Sequence, residues 1–270
     1  MLLNESGKLT FSKVAADYDR FRPLYPPELI STYIREAPLS PTARILEVGC
    51  GTGQLTRALA PLGAALHAVD IGADLIRIAR QHCRTFPHVS FEQIAFEALP
   101  LPETGYDSLV CATSFHWLDP ATRFERAAAL LRAGGTLAII KNVSKHRDQN
   151  NTLRKTLDDI YDRVIPPEIG RQYVSLESKS GSLEDSFAAS PHFGPVRAFA
   201  YPHTHRLAAA DYIRLMDTFS YQHNLPTGIK EQLFREVESA IRDFGGSIDL
   251  PYEAVLLLAG KAPGSASQKK

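Results

Sequence analysis

The stretch Ile45-Leu-Glu-Val-Gly-Cys-Gly-Thr-Gly-Gln-Leu-Thr56 decides how the rest of the chain is read. Entered from Ala43 and Arg44, it begins as a short apolar run of strand length and passes through three alternating glycines, Gly49, Gly51 and Gly53. Gln54 to Ala60 is then a good helix former, stopped by Pro61 and Gly63. A strand that turns through glycines into a helix lets a ligand approach the main chain with no Cβ in the way. The helix start behind it offers free N–H groups. A nucleoside-triphosphate loop closes on Gly-Lys-Ser/Thr, whereas this one closes on Gly53-Gln54-Leu55. A dinucleotide fold asks for G-x-G-x-x-G, and Gln54 stands where the last glycine belongs. The pattern that remains, acidic-x-Gly-x-Gly-x-Gly, suits a ligand without a pyrophosphate.

Strands and helices alternate on the C-terminal side of this loop. Leu66 to Asp70 reads as a second strand, and Asp74 is the expected N-cap of a helix with Leu75, Ile78, Ala79 and His82 on one face. Val89 to Gln93 and Tyr106 to Cys111 read as strands three and four. Asp119-Pro120 is expected to open a helix with Phe124, Ala128 and Leu131 on one side, ended by Gly134-Gly135, before a fifth strand at Thr136 to Ile140. Such alternation implies right-handed crossovers, a mostly parallel sheet with helices on both faces, and a ligand at the carboxyl ends of the strands. Residues 142–195 are polar and read as helical, with breaks at Pro166-Pro167 and at Ser178 to Ser182. A strand is expected at Val196 to Tyr201, helices at Ala208 to Met216 and Lys230 to Asp243, and a last strand at Tyr252 to Ala259. The fold class expected is α/β: a doubly wound, mostly parallel, seven-stranded sheet with a helical cap from insertions after strands five and six.

Across 270 residues, 44% are hydrophobic and 22% charged, which excludes disorder, collagen-like repeats and a coiled-coil rod. Thirty basic residues balance thirty acidic ones, so no general charge excess exists for gripping a phosphate backbone. Three scattered cysteines, Cys50, Cys83 and Cys111, make neither a disulfide framework nor a CxxC metal site and fit a reducing compartment. No secretory signal and no run of membrane-spanning length is legible. The expectation is a cytoplasmic protein without membrane or nucleic-acid partners, a monomer or homodimer.

Five segments in order, ILEVGCGTGQLT, HAVDIGADLI, FEQIAFEALPLPETGYD, SFHWLDP and LLRAGGTLAII, resemble class I S-adenosylmethionine-dependent methyltransferases. The opening FSKVAADYDRFRPLYPPEL and the FHWLD segment resemble more narrowly the small-molecule enzymes of the trans-aconitate methyltransferase-like group. The resemblance implies a Rossmann-like methyltransferase fold with S-adenosyl-L-methionine as cofactor and S-adenosyl-L-homocysteine as product. It implies that Glu47 accepts from the cofactor's ammonium, that the loop Gly49, Cys50, Gly51, Thr52 and Gly53 lines the methionine moiety, and that Asp70 takes the ribose hydroxyls. Ile71 would pack on adenine. Where many relatives place an acidic residue against the adenine amino group, this chain has Ala95, followed by Phe96 and Glu97. Backbone contact from Ala95 or Phe96 is the expectation there. The N-terminal segment would fold over the cofactor, with Tyr18 covering it and Arg22 pairing with its carboxylate or with an acidic substrate. The boundaries expected are 1–35 for this lid, 36–141 for the cofactor-binding core, 142–250 for a substrate cap that includes the strand near 196–201, 251–260 for the last strand, and 261–270 for a flexible tail.

Methyl transfer is an in-line displacement at a sulfonium carbon, so the protein's task is position and electrostatics. His116, just beyond the fourth strand, is the candidate base by residue type, and packing beneath the next helix is its alternative role. Thr113 is a further cofactor-side candidate, and Tyr25, His116, Trp117 and Tyr221 are candidates to line the acceptor pocket. His203, His205 and His223 lack an accompanying carboxylate or cysteine at ligand spacing, so no metal is expected. A small-molecule acceptor, with a carboxylate or a phenol or enol favoured, leads over a macromolecular acceptor, a non-catalytic cofactor-binding protein and a nicotinamide dehydrogenase.

Overall fold

Ile45, Leu46 and Val48 are all buried because the strand that carries them, β1 (Arg44–Val48), lies in the middle of a sheet covered on both faces. The computed structural model describes residues 15–145, 151–169, 183–219, 221–222 and 225–263. Around β1 stand β2 (Ala65–Asp70), β3 (Val89–Gln93), β4 (Tyr106–Ala112), β5 (Leu131–Ser144), β6 (Arg197–Ala208) and β7 (Ser247–Gly260), in the order β3-β2-β1-β4-β5-β7-β6. The first five strands pair in parallel, and β7 runs antiparallel between β5 and β6. The expected α/β seven-stranded sheet is therefore the fold.

The helices are α1 (Ala15–Phe21), α2 (Pro27–Glu36), α3 (Gln54–Leu59), α4 (Ala73–His82), α5 (Arg123–Leu130), α6 (Thr152–Val164), α7 (Leu183–Ala188), α8 (Ala209–Asp217) and α9 (Thr227–Asp243). One face of the sheet packs Leu46, Val48 and Leu109 against Ala127 and Leu130 of α5 and Phe187 of α7. The other packs Ile45, Val110 and Ile140 against Leu29 and Tyr33 of α2 and Leu55 and Leu59 of α3. A further core joins α6, α8 and α9 to the ends of β6 and β7, and Phe21 of α1 is built into it. The N-terminal arm and the helices inserted beyond β5 thus share apolar packing.

Several local expectations are corrected. The N-cap of α4 is Gly72, not Asp74, because the Asp70 carboxylate already takes the Gly72 N–H at 2.8 Å and holds the turn. Ile76 is buried in place of the expected Ile78, and His82 faces Asp19 at 2.9 Å. Asp119-Pro120 makes a turn rather than a helix start: the Asp119 carboxylate accepts from the Ala121 N–H and the Thr122 hydroxyl, and α5 begins at Arg123. Gly134-Gly135 does not end that helix. The helix stops at Leu130, and the glycines lie in the register shift where β5 pairs with β4. There a Cβ on Gly135 would stand 2.9 Å from the Tyr106 carbonyl oxygen. The strand expected at Val196 to Tyr201 continues through Pro202 to Ala208, since β6 is the edge strand and a missing N–H costs no pairing there. The last strand likewise runs from Ser247, not Tyr252. The Ser178 to Ser182 break, most of the tail and His223 lie outside the described residues.

Candidate active site

Gly49, Gly51 and Gly53 all adopt positive φ (72°, 57° and 86°), and the loop they form is locked from below. Gly49 N–H and Cys50 N–H both donate to the Val69 carbonyl, at 2.8 and 3.0 Å. A Cβ on Gly49 would stand 2.4 Å from the Ser114 Cβ, so glycine is required for the loop to seat against the turn after β4. Gly51 faces the other way: the nearest atom to a Cβ there is Cε1 of Tyr18, at 3.5 Å. Tyr18 on α1 therefore covers the loop. Its phenol pKa is raised by burial first, with Asp70 and Cys50 adding to the rise and Arg22 opposing it.

Asp70 closes β2 and braces the same loop. Its Oδ2 accepts from Gly51 N–H at 2.9 Å and its Oδ1 from Gly72 N–H at 2.8 Å. Burial raises its pKa against these backbone bonds. Each carboxylate oxygen has a second lone pair, so acceptor capacity for a diol remains. Ile71 beside it is half-buried, and its carbonyl accepts from Gln93 Nε2 at 3.2 Å.

Glu47 lies on β1 at 1% exposure, accepting from the Thr56 hydroxyl at 2.7 Å. Desolvation pushes its pKa up to about 8, with Asp70 adding to the rise. Nearby, Oγ1 of Thr52 and Nε2 of Gln54 are buried without hydrogen-bond partners. A carboxylate that no cation balances, an idle hydroxyl and an idle amide N–H are what a zwitterionic amino-acid moiety would complete. The residues present thus fit S-adenosylmethionine: Glu47, Thr52 and Gln54 toward its amino-acid end, and Gly51 and Asp70 toward its sugar. Gln54 was not foreseen from the sequence, because its only signal is a side chain left unsatisfied by the fold.

On the adenine side Ala95 is half-buried and Phe96 buried, with a 3-10 turn at Phe96–Ala98. Glu97 is exposed and accepts from the Asp119 N–H at 3.3 Å.

At the carboxyl edge of β4, Thr113 has φ +57°, the one non-glycine residue with positive φ among those described. Its hydroxyl meets that of Tyr25 at 2.9 Å. Ser114 donates to the Val48 carbonyl at 2.6 Å. His116 is an exposed residue, and its ring lies 4.8 Å from the half-buried Trp117 ring. Enough protein surrounds it that desolvation, then Arg123 and Arg22, lower its pKa to about 4. His116 is neutral at pH 7. Arg123, absent from the sequence-derived candidates, lies over the Phe115 and Phe124 rings at 5.1 and 5.3 Å with its Nε buried and unpartnered.

Arg22 is anchored on the cap. Its Nε donates to the Thr218 hydroxyl and its Nη2 to the Thr218 carbonyl, both at 2.9 Å, while the guanidinium lies between the Tyr18 and Phe219 rings. Tyr221 stacks on Phe219 at 5.4 Å, on the cap side of this column. His203 and His205 make hydrogen bonds to Asn142 Oδ1 (3.1 Å) and the Phe21 carbonyl (3.0 Å). Among the described residues no group of three His, Cys, Asp or Glu is placed to hold a metal, and no helix is long and apolar enough to cross a membrane.

The parallel sheet, the loop after β1 and the carboxylate closing β2 have the arrangement expected of a class I S-adenosylmethionine-dependent methyltransferase. Residues 45–135 match the family described as a methyltransferase domain, and the chain is an enzyme with methyltransferase activity. An uncharacterized methyltransferase-like protein of Schizosaccharomyces pombe is 26% identical over 94% of this chain and 96% of its own length. An uncharacterized methyltransferase of Mycobacterium tuberculosis is 31% identical over 59% of this chain and 65% of its own. In fold the chain is similar to a Haemonchus contortus phospholethanolamine N-methyltransferase 2 solved with phosphomonomethylethanolamine and S-adenosylhomocysteine. That match has a TM-score of 0.55 and 13% identity, over 94% of this chain and 60% of that one.

Proposed function

We propose that the chain methylates a small molecule, on oxygen, nitrogen or carbon, at the carboxyl edge of β4, and that it belongs to the trans-aconitate methyltransferase-like group. The observation that carries the reading is that the turn seated on the donor loop, through Ser114 against Gly49, carries His116, an exposed residue whose imidazole is held neutral. The cofactor supplies an electrophilic methyl group on a sulfonium. The chain's part is to hold the donor by Glu47, Gly51 and Asp70, to exclude water with Tyr18, and to receive the acceptor against His116, Trp117 and Tyr221. A phenol or enol acceptor would pass its proton to His116 Nδ1 or Nε2, whereas a carboxylate acceptor needs no base. The guanidinium charges of Arg22 and Arg123, both felt at His116, favour an acceptor that carries acidity.

Incubation with methyl-labelled S-adenosylmethionine and a metabolite extract should yield, by mass spectrometry, a small product heavier by one methyl. The enzyme's His116→Ala variant should then lose about 10²–10⁴-fold in kcat while keeping S-adenosylhomocysteine affinity. Full activity in that variant would remove His116 from the chemistry, and label appearing only in protein or nucleic acid would remove the small-molecule acceptor.

A further inference from the structure

The chain between α1 and α2 crosses the carboxyl edge of the sheet and is fastened at every second residue to a different strand. The Phe21 carbonyl accepts from His205 of β6 at 3.0 Å, and the Pro23 carbonyl from Asn142 Nδ2 of β5 at 3.3 Å. Asn142 is itself oriented by His203, whose Nε2 donates to Asn142 Oδ1. The Tyr25 hydroxyl meets that of Thr113, just past β4, at 2.9 Å. Prolines at 23, 26 and 27 stiffen the segment by holding φ near −65°. Tyr25 is nevertheless separated by 88 positions from the residue it grips.

Thr113 is an unlikely residue for its backbone. A β-branched side chain at φ +57° is strained, and such strain persists only where the surroundings enforce it. Three contacts do so. Thr113 N–H donates to the Ile140 carbonyl at 2.8 Å, its hydroxyl is held by Tyr25, and Ser114 is wedged against Gly49 with its hydroxyl on the Val48 carbonyl. The left-handed turn at Thr113 therefore joins the strap on one side to the glycine loop on the other and leads into the turn that carries His116.

We propose that Tyr25 and Thr113 are positioning residues: their hydroxyl pair clasps the N-terminal strap onto the turn after β4, so that Tyr18 closes over the donor loop and the loop is seated by the same bond. Tyr25, read from the sequence as a group for the acceptor, thereby acts through Thr113, and His203 and His205 acquire a role as strap anchors. The inference rests on the donor-binding reading and not on the identity of the acceptor.

The test measures S-adenosylhomocysteine affinity by calorimetry and melting temperature in the full chain, with trypsin cleavage after the exposed Arg20 as a readout that needs no ligand. Tyr25→Phe and Thr113→Ala should each weaken binding about three- to tenfold, the worth of one partly buried hydrogen bond. The double variant should be little worse than either single, because one bond is being removed twice. Thr113→Ser keeps the hydroxyl and should bind as wild type. Thr113→Gly should melt above Thr113→Ala, since glycine takes the left-handed conformation freely, yet bind as weakly. Cleavage after Arg20 should quicken in Tyr25→Phe. Additive losses, weakening that tracks melting temperature across the series, or affinity and cleavage unchanged in Tyr25→Phe would each overturn the clasp. If wild type bound S-adenosylhomocysteine but methylated nothing, the acceptor reading alone would fail. If it did not bind at all, cleavage after Arg20 would still decide the clasp.

Discussion

Glu47 is a carboxylate that the fold buries at a cost, and that cost is visible in pH. Its pKa rises from 4.5 to about 8, chiefly by desolvation. Between those values the folded state binds a proton that the unfolded chain has lost, so stability declines as pH climbs through that window. The ligand-free protein should therefore melt progressively lower from pH 5 to pH 8, and Glu47→Gln should flatten that slope. An ammonium placed on Glu47 would reverse the preference, so the same substitution should weaken S-adenosylhomocysteine about 10- to 100-fold, the worth of a charge-assisted bond. Binding near pH 7 should release a proton, detectable by calorimetry in buffers of different ionisation heat. Equal slopes in wild type and variant would show that another group carries the effect. Glu47 was legible as a candidate because it occupies a fixed place before the glycines. Thr56, which holds it, is nearby in sequence but on the following helix, and no local pattern names it as partner.

The turn from β1 into α3 is set by one glycine more than by the others. Gly49→Ala forces a Cβ to 2.4 Å from the Ser114 Cβ and also strains a positive φ. We expect a loss of about 2–4 kcal/mol in stability by denaturant titration, from overpacking plus backbone strain. Adding Ser114→Gly should recover the packing share but not the strain. Complete recovery would place the whole cost in packing, and no recovery would place it in the backbone. The glycines and the five leading strands could be read because period, length and turn residues are local properties. The bounds of β6 could not. Pro202 reads as a stop, and only its place at the sheet edge, beyond β7, makes it harmless. Gly134-Gly135 reads as a helix end for the same reason, and only the pairing of Tyr106 with Leu131 and Ser108 with Thr136 reveals a register shift.

Arm, donor loop and cap are joined by shared packing and hydrogen bonds in this fold. Phe21 is buried at 2% exposure in the core formed by α6, α8 and α9, while Tyr18, one turn earlier, lies on Gly51. Arg22 ties the same arm to Thr218 at the end of α8. Phe21→Ala should cost about 3–5 kcal/mol of stability by cavity formation. It should also weaken S-adenosylhomocysteine, although Phe21 belongs to the cap's core and not to the loop. In wild type, binding should slow hydrogen exchange in Ala15–Phe21 and Ala209–Asp217 together. Protection confined to the arm would mean the two are not coupled. The amino-acid order alone determined the sheet-and-helix alternation, the glycine turn and the Glu47 carboxylate before it, because each depends on residues within a dozen positions of one another. Which side chains converge on the site was decided only by tertiary structure. Tyr25 meets Thr113, Arg22 meets Thr218 and His205 meets the Phe21 carbonyl across 88, 196 and 184 positions. Contacts of that range leave no periodicity in the chain: they exist only once the sheet has brought its carboxyl edges together.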